Sequence, residues 1–294
     1  MITAYFLSLI SGVFSGFIGI GYRLGSKGNV FPIQTALILD TAGVIFFSTL
    51  AKWQYNLPPL VWILGIVAGL TQYATVRILR ETLRMGPLSP AWCAIGLSFM
   101  PALVYCWFFR GETPTVWQVF SVIATIGAIV AASIGNSKNA GESRKLESKK
   151  AGFIYGTLLV LMLFLCGIIY IIFKYATFVK YGDSTLFDTF RNQMMAIIYL
   201  FLMLPALLDL SMSKTWIFNK YFFFGGAFVM IGGIGSYGIQ LLIMNAPAVL
   251  VFALPGVTSV LFASLISVFV FHEKRSCYWY ATVILAVLAI LLNR

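Results

Sequence analysis

Histidine is nearly missing from this sequence: 294 residues hold one, His272, together with only nine carboxylates. Metal-dependent hydrolysis and phosphoryl or prenyl transfer draw on clustered His, Asp and Glu, so the shortage argues against an enzyme, and neither a metal nor a cofactor is expected. Cysteine is scarce as well. Cys93, Cys106, Cys166 and Cys277 lie in or beside apolar runs, without the paired spacing of a zinc site or a disulfide scaffold, and read as small core residues. No Walker-type phosphate loop is present, which excludes nucleotide hydrolysis as an energy source. Charge is sparse too: 10% of residues are charged against 60% hydrophobic, and the mean hydropathy is +0.93. Soluble domains do not have that balance.

What is abundant is apolar sequence. A helix crossing a hydrocarbon core of about 30 Å needs roughly 20 mostly apolar residues, because lipid offers no partner to backbone N–H and C=O groups. Ten such runs are read, near residues 2–22, 32–51, 59–79, 88–109, 115–134, 152–173, 185–208, 221–243, 246–271 and 276–293. The first has no basic residue before it and no small-residue cleavage site after it, so it is expected to be retained. The chain is therefore expected to be an all-α integral membrane protein, multi-pass in a cytoplasmic (inner) membrane. The formal charge of +11 would suggest nucleic acid in a soluble chain. Here the basic residues sit in short loops, where they set orientation and meet anionic lipid, and no nucleic-acid role is expected.

One long polar segment, GNSKNAGESRKLESKKA at 135–151, divides the ten runs five and five. Aligned, the halves bring Arg23 against Lys174, Asp40-Thr41 against Asp188-Thr189, Tyr73 against Tyr237, Pro87 against Pro247 and Glu112 against Glu273. One five-helix unit thus occurs twice, as residues 1–134 and 152–294 about the linker loop 135–151. Five is odd, so the second copy enters the membrane from the opposite side, and the two form inverted repeats. The turns CWFFRGETPT and VFVFHEKRS then end runs 4 and 9 at opposite surfaces. His272-Glu273 reads as part of such a turn and not as a catalytic pair.

With the five-plus-five plan, MNAPAVLVFALPGVTSVLFASLISVFVFHEKRS at 244–276 and its weaker first copy MGPLSPAWCAIGLSFMPALVYCWFFRGETPT at 85–115, the chain resembles the ten-helix EamA-like branch of the drug/metabolite transporter superfamily. Arg191, in FDTFRNQMM, is similar to an arginine that family often carries early in its seventh helix; Gly43 occupies the aligned place in the first half. The resemblance implies alternating-access transport. Of the 20 Lys and Arg residues, only Lys52, Arg110, Lys174, Lys180, Arg191 and Arg294 fall on the side of the termini, so the positive-inside rule sets both termini outside and the 135–151 loop in the cytoplasm. The family is usually described with its termini inside; the charge distribution is followed here.

Ionisable groups inside membranes are functional candidates by default. Asp40, mid-run in TALILDTAGVIFF, and Asp188 are the candidate coupling carboxylates for protons; a helix cap or an internal ion pair is the structural alternative. Candidates for substrate binding are Gln72, Tyr73 and Arg77 in run 3, Tyr237, Gln240 and Asn245 in or after run 8, Arg191, and the rings of Trp92 and Tyr170, with Tyr22 also expected to face a cavity. A ligand site needs mostly apolar walls with a few placed polar groups; interhelical hydrogen bonding explains Asn and Gln equally well. Gly12, Gly16 and Gly19, Gly65 and Gly69, and GGIGSYG at 232–238 predict close helix packing. The expected function is secondary active transport of a small polar or amphipathic metabolite, such as an amino acid, with the bilayer and protons as further partners. The alternatives are a lipid-carrier flippase of the same fold and, less favoured, a membrane-embedded enzyme on lipid-linked substrates.

Overall fold

The computed structural model describes residues 2–52, 57–85, 88–139, 149–213, 216–270 and 277–292. The helices are α1 (Ile2–Lys27), α2 (Pro32–Leu50), α3 (Pro59–Met85), α4 (Leu88–Gly96), α5 (Phe99–Phe109), α6 (Val116–Asn139), α7 (Lys149–Phe178), α8 (Leu186–Ser213), α9 (Lys220–Ile243), α10 (Leu254–Phe269) and α11 (Cys277–Leu292). Among the described residues eight helical spans are long and apolar enough to cross a membrane, and Cys93–Phe109 and Cys277–Leu292 are shorter apolar helices. The protein is an all-α, multi-pass membrane protein.

Local chemistry sets the helix ends. Pro32 opens α2, where a missing N–H costs nothing. The Asn219 side chain caps α9 by accepting the Phe222 N–H at 2.9 Å. Between α7 and α8 two short strands, β1 (Lys180–Tyr181) and β2 (Ser184–Thr185), pair antiparallel. Gly182, at φ 60°, supplies the left-handed turn residue that this tight hairpin needs.

Three expectations need correction. The 88–109 run is not one helix. Pro101 has no N–H for the Leu97 carbonyl, and the Ser98 and Met100 N–H groups instead bond three residues back, to Ile95 and Leu97, which separates α4 from α5. Run 9 likewise begins with a π-helical turn at Val249–Ala253, where the Leu254 N–H reaches back five residues to Val249 just before Pro255. The 135–151 segment is not wholly a loop, because α6 continues to Asn139 and α7 starts at Lys149. Residues 140–148 lie outside the described residues, as do Pro87, His272 and Glu273.

The helices pack in related pairs. α1 lies against α9 and α10, and α7 lies against α3, α4 and α5; α2 contacts α8 and α9, while α8 contacts α2 and α3; α6 pairs with α11. Glycines make the closest crossings. A Cβ on Gly16 would meet the Phe262 ring and the Ser259 carbonyl, and one on Gly167 would meet Pro101 and the Ser98 carbonyl. Gly21 faces the Gly225 carbonyl, where an added Cβ would stand 2.5 Å away. Nearby, Ser236 of α9 bonds both Ser15 (2.6 Å) and Ser11 (3.1 Å) of α1 through their hydroxyls.

Candidate functional site

Asp40 is the ninth residue of α2, set two turns into the helix, and only 1% of it is exposed. No hydrogen bond reaches its Oδ1, and among the described residues no lysine or arginine forms an ion pair with it. Three tyrosines lie within electrostatic range of the carboxyl: Tyr22 of α1, Tyr199 of α8 and Tyr237 of α9. Tyr199 is held by α2 itself. Gly43 leaves room for its ring, Phe47 stacks on it at 5.7 Å and 11°, and its hydroxyl, like Asp40 Oδ1, is buried without a partner. Asp40, Gly43 and Phe47 follow at helical spacing, so one face of α2 presents both the acid and the seat for the tyrosine.

From α7 come Tyr170 and Cys166, four residues apart on one face and electrostatically linked to Tyr237. Cys166 faces the hydroxyls of Thr75 and Ser98, and Tyr170 also approaches Ser98, at the break between α4 and α5. Tyr170 packs on Phe252 of the π-helical turn at 4.8 Å. Tyr22, Tyr170 and Tyr237 are each half-buried among these helices. This group of side chains draws on α1, α2 and the α4–α5 break from the first half of the chain and on α7, α8 and α9 from the second.

A buried ion pair ties the helices together one turn beyond Tyr170. Lys174, one turn beyond Tyr170 and 2% exposed, donates to Glu112 at 3.0 Å and to the Ala246 carbonyl at 2.6 Å, while the other Glu112 oxygen accepts the Ala248 N–H at 2.8 Å. The tie joins α7, the turn after α5 and the start of the π-helical turn on the side of the termini. On the same side Gln193 and Asn192 of α8 donate to the backbone carbonyls of Lys52 and Leu50. At the opposite end Asp209 of α8 holds Arg77 at 3.2 Å and Arg80 at 3.5 Å, and Arg77 also meets Glu81 at 3.7 Å.

The expected site residues divide between these places. Asp40, Tyr22, Tyr170 and Tyr237 fall in one electrostatically linked group, and Gln240 is buried one turn past Tyr237. Arg77 belongs to the Asp209 network, with Tyr73 beside it in electrostatic range and Gln72 adjacent and half-buried. Asp188 does not share the depth of Asp40, which corrects the alignment of the two. It lies exposed in the first turn of α8, where Thr185 donates to it at 2.7 Å and Asn245 at 3.1 Å. Its own N–H bonds Thr185 Oγ1 at 3.1 Å, so the pair caps the helix in the manner of a capping box. Arg191 lies half-buried about two turns from Tyr199, toward the same end. The Trp92 side chain lies outside the described residues. Sequence reasoning missed Tyr199, Cys166, Asp209 and the Lys174–Glu112 tie. Lys174 and Asp209 stand immediately after the apolar runs 152–173 and 185–208, where a charge reads as a helix end and not as an intramembrane group.

Among the described residues no three His, Cys, Asp or Glu side chains gather in a metal-sized group. An apolar groove of about 360 Å³ lies between α4, α6 and α7, lined by residues including Cys93, Leu97, Val130, Ser133 and Leu163.

No family model matches the sequence, and no curated protein matches it. Solved structures do match, 26 chains in all. One crystal structure, described only as that of a protein, superposes with a TM-score of 0.77 over 100% of this chain and 96% of its own, at 15% identity. At that identity the likeness is one of fold: this chain shares its overall helical arrangement with a solved structure along its full length.

Proposed function

We infer that the chain is a secondary active transporter of a small amphipathic organic metabolite, of the drug/metabolite transporter type, working by alternating access between two inverted five-helix repeats. The observation that carries the reading is Asp40, a buried carboxyl with an unpartnered oxygen, set among helices from both halves of the chain. An aspartate at a membrane helix centre costs roughly 2.5–3.5 kcal/mol even on the lower scales. A group kept at that cost and left unpaired is suited to exchange a proton or a ligand.

The repeat is supported by packing. Exchanging α1 for α7, α2 for α8, α3 for α9, α4–α5 for the π turn with α10, and α6 for α11 turns each of the major helix pairs into another that is also made. The registers agree as well. Gly16 and Gly167 each stand seven residues before Arg23 and Lys174, and they contact Ser259 and Ser98, which each stand fourteen residues before Glu273 and Glu112. Such a pseudo-two-fold is the arrangement in which rocking one half on the other exposes a central site to each side in turn.

The apolar groove favours a second reading, a lipid-carrier flippase. Its volume of about 360 Å³ is at the small end of ligand pockets, however, and it is lined almost wholly by apolar side chains. A thermal-shift screen of the purified protein against metabolites, followed by counterflow in proteoliposomes with each hit, tests the transport reading. Stabilising compounds should exchange across the bilayer in both directions. Hits that bind but never exchange, or scrambling of lipid carriers alone, would refute it.

A further inference from the structure

We propose that the groove between α4, α6 and α7 seats one acyl chain of a resident anionic phospholipid, drawn from the leaflet on the side of residues 135–151. The proposal rests on the membrane character of the fold and not on the transport reading.

The groove follows from the shortness of α4. Its nine residues, Leu88–Gly96, rise about 14 Å before the break that precedes α5, too little to fill the space beside two full-length spans. α4 packs on both α6 and α7, and among the described residues α6 and α7 are not themselves a major packing pair. A cleft of about 360 Å³ results where the three approach. Left unfilled, a cleft of that size would deprive its lining of dispersion contacts, and the medium at its mouth decides what fills it. Val130 and Ile134 of α6 and Val160 of α7 stand exposed at the rim, within the spans Val116–Ile134 and Gly152–Phe178. That medium is therefore hydrocarbon. Inside, the only two polar side chains of the lining, Cys93 and Ser133, bond each other, so a polar ligand finds few groups to fix its orientation.

Depth selects a tail from one leaflet. Ile134 ends its span on the side of residues 135–151, and Leu163 lies eleven residues beyond Gly152, where the next span starts on that same side. Eleven residues of helix descend about 16 Å, and half of a hydrocarbon core of about 30 Å is about 15 Å. The groove thus runs from one surface to the midplane, which is the reach of a single acyl chain. A path for a lipid carrier would have to continue to the other surface. The sequence above the groove supplies the charge: Lys138 follows Ile134 by one turn of α6, and Lys149 and Lys150 open α7 just before Gly152. Basic residues at a membrane surface draw anionic headgroups, and none of these three positions is balanced by an acidic residue in the same turn.

Photolabelling of the full chain in proteoliposomes tests both the tail and the headgroup. A trace of phosphatidylglycerol carrying a diazirine near the end of one chain, diluted in phosphatidylcholine, should mark segments 93–97 and 159–163. The yield there should exceed that at Ile284 and Leu288, exposed residues of α11 at similar depth, by about fivefold or more. Phosphatidylcholine with the same diazirine should mark the groove about tenfold less, and Lys149→Gln with Lys150→Gln should remove that difference. Val130→Trp covers the mouth from an exposed rim position, so it should abolish the groove label and spare the α11 label. The comparison of the two lipids on the wild-type chain decides the matter if a variant fails to fold. Groove labelling no stronger than that of α11, equal labelling by the two lipids, a preference that survives the lysine replacements, or a label that Val130→Trp leaves unchanged would overturn the proposal. Loss of the label to an equimolar isoprenyl phosphate but not to unlabelled phosphatidylglycerol would also overturn it, and would assign the groove to a lipid carrier.

Discussion

Removing the Glu112 carboxylate should be among the most damaging single changes in the tie between α7, the turn after α5 and the π-helical turn. Lys174 is 2% exposed, and its ammonium has two acceptors, Glu112 at 3.0 Å and the Ala246 carbonyl at 2.6 Å. Glu112→Ala strands that charge on a single carbonyl, and breaking a buried pair costs about 3–5 kcal/mol. The Glu112 side chain is 23% exposed and the second acceptor survives, so the low end, about 3 kcal/mol, applies. Losing the acceptor for the Ala248 N–H adds about 1 kcal/mol. The reverse change, Lys174→Met, leaves a carboxylate that still reaches water and the Ala248 N–H, and should cost less, about 1–3 kcal/mol. The double variant Lys174→Met with Glu112→Leu has no stranded charge and should be more stable than Glu112→Ala alone. Equilibrium unfolding in mixed micelles reads all three. A Glu112→Ala cost under about 1 kcal/mol, or a double variant no better than the single, would refute the tie as described.

Further expectations follow from the packing and the charges. Gly21→Ala places a Cβ 2.5 Å from the Gly225 carbonyl and 2.9 Å from the Val229 nitrogen. Backbone cannot turn aside as a side chain can, so a loss of about 1–3 kcal/mol is expected by the same unfolding assay, and Gly19→Ala, with nothing within 4 Å, is the neutral control. Asp209→Asn removes the counter-charge of Arg80, whose side chain is 9% exposed and whose Nε already lacks a partner, and should cost about 1–3 kcal/mol. A cysteine placed in the 140–148 segment should resist an impermeant reagent applied to intact cells, as the positive-inside rule requires; strong labelling would reverse the orientation.

The all-α, multi-pass character was legible in the sequence because lipid makes each crossing a long apolar run; against the ten runs expected, eight spans among the described residues are long and apolar enough to cross, and helices such as α3 extend past the apolar stretch by a polar turn, Arg80–Met85. The breaks were not legible. Pro101 and Pro255 sit deep in their runs, and whether a proline kinks, splits or shifts a helix to π depends on what takes up the freed carbonyl. Asp40 stood out by cost alone. Tyr199 did not, since a tyrosine in an apolar run can face lipid, another helix or a cavity, and only the gap at Gly43 and the ring of Phe47 fix it beside Asp40. Asp188 misled for the opposite reason. Its place next to a threonine copies Asp40-Thr41 in letters, but Thr185 three residues earlier makes it a helix cap.

The central claim is that Asp40 couples transport to protons, and Asp40→Asn, which keeps the shape and removes the titration, addresses it most directly. In proteoliposomes with an imposed pH gradient, the wild-type protein should accumulate a transported compound above equilibrium. Asp40→Asn should lose that accumulation. Accumulation by Asp40→Asn at the wild-type level would contradict the account and leave Asp40 a structural residue.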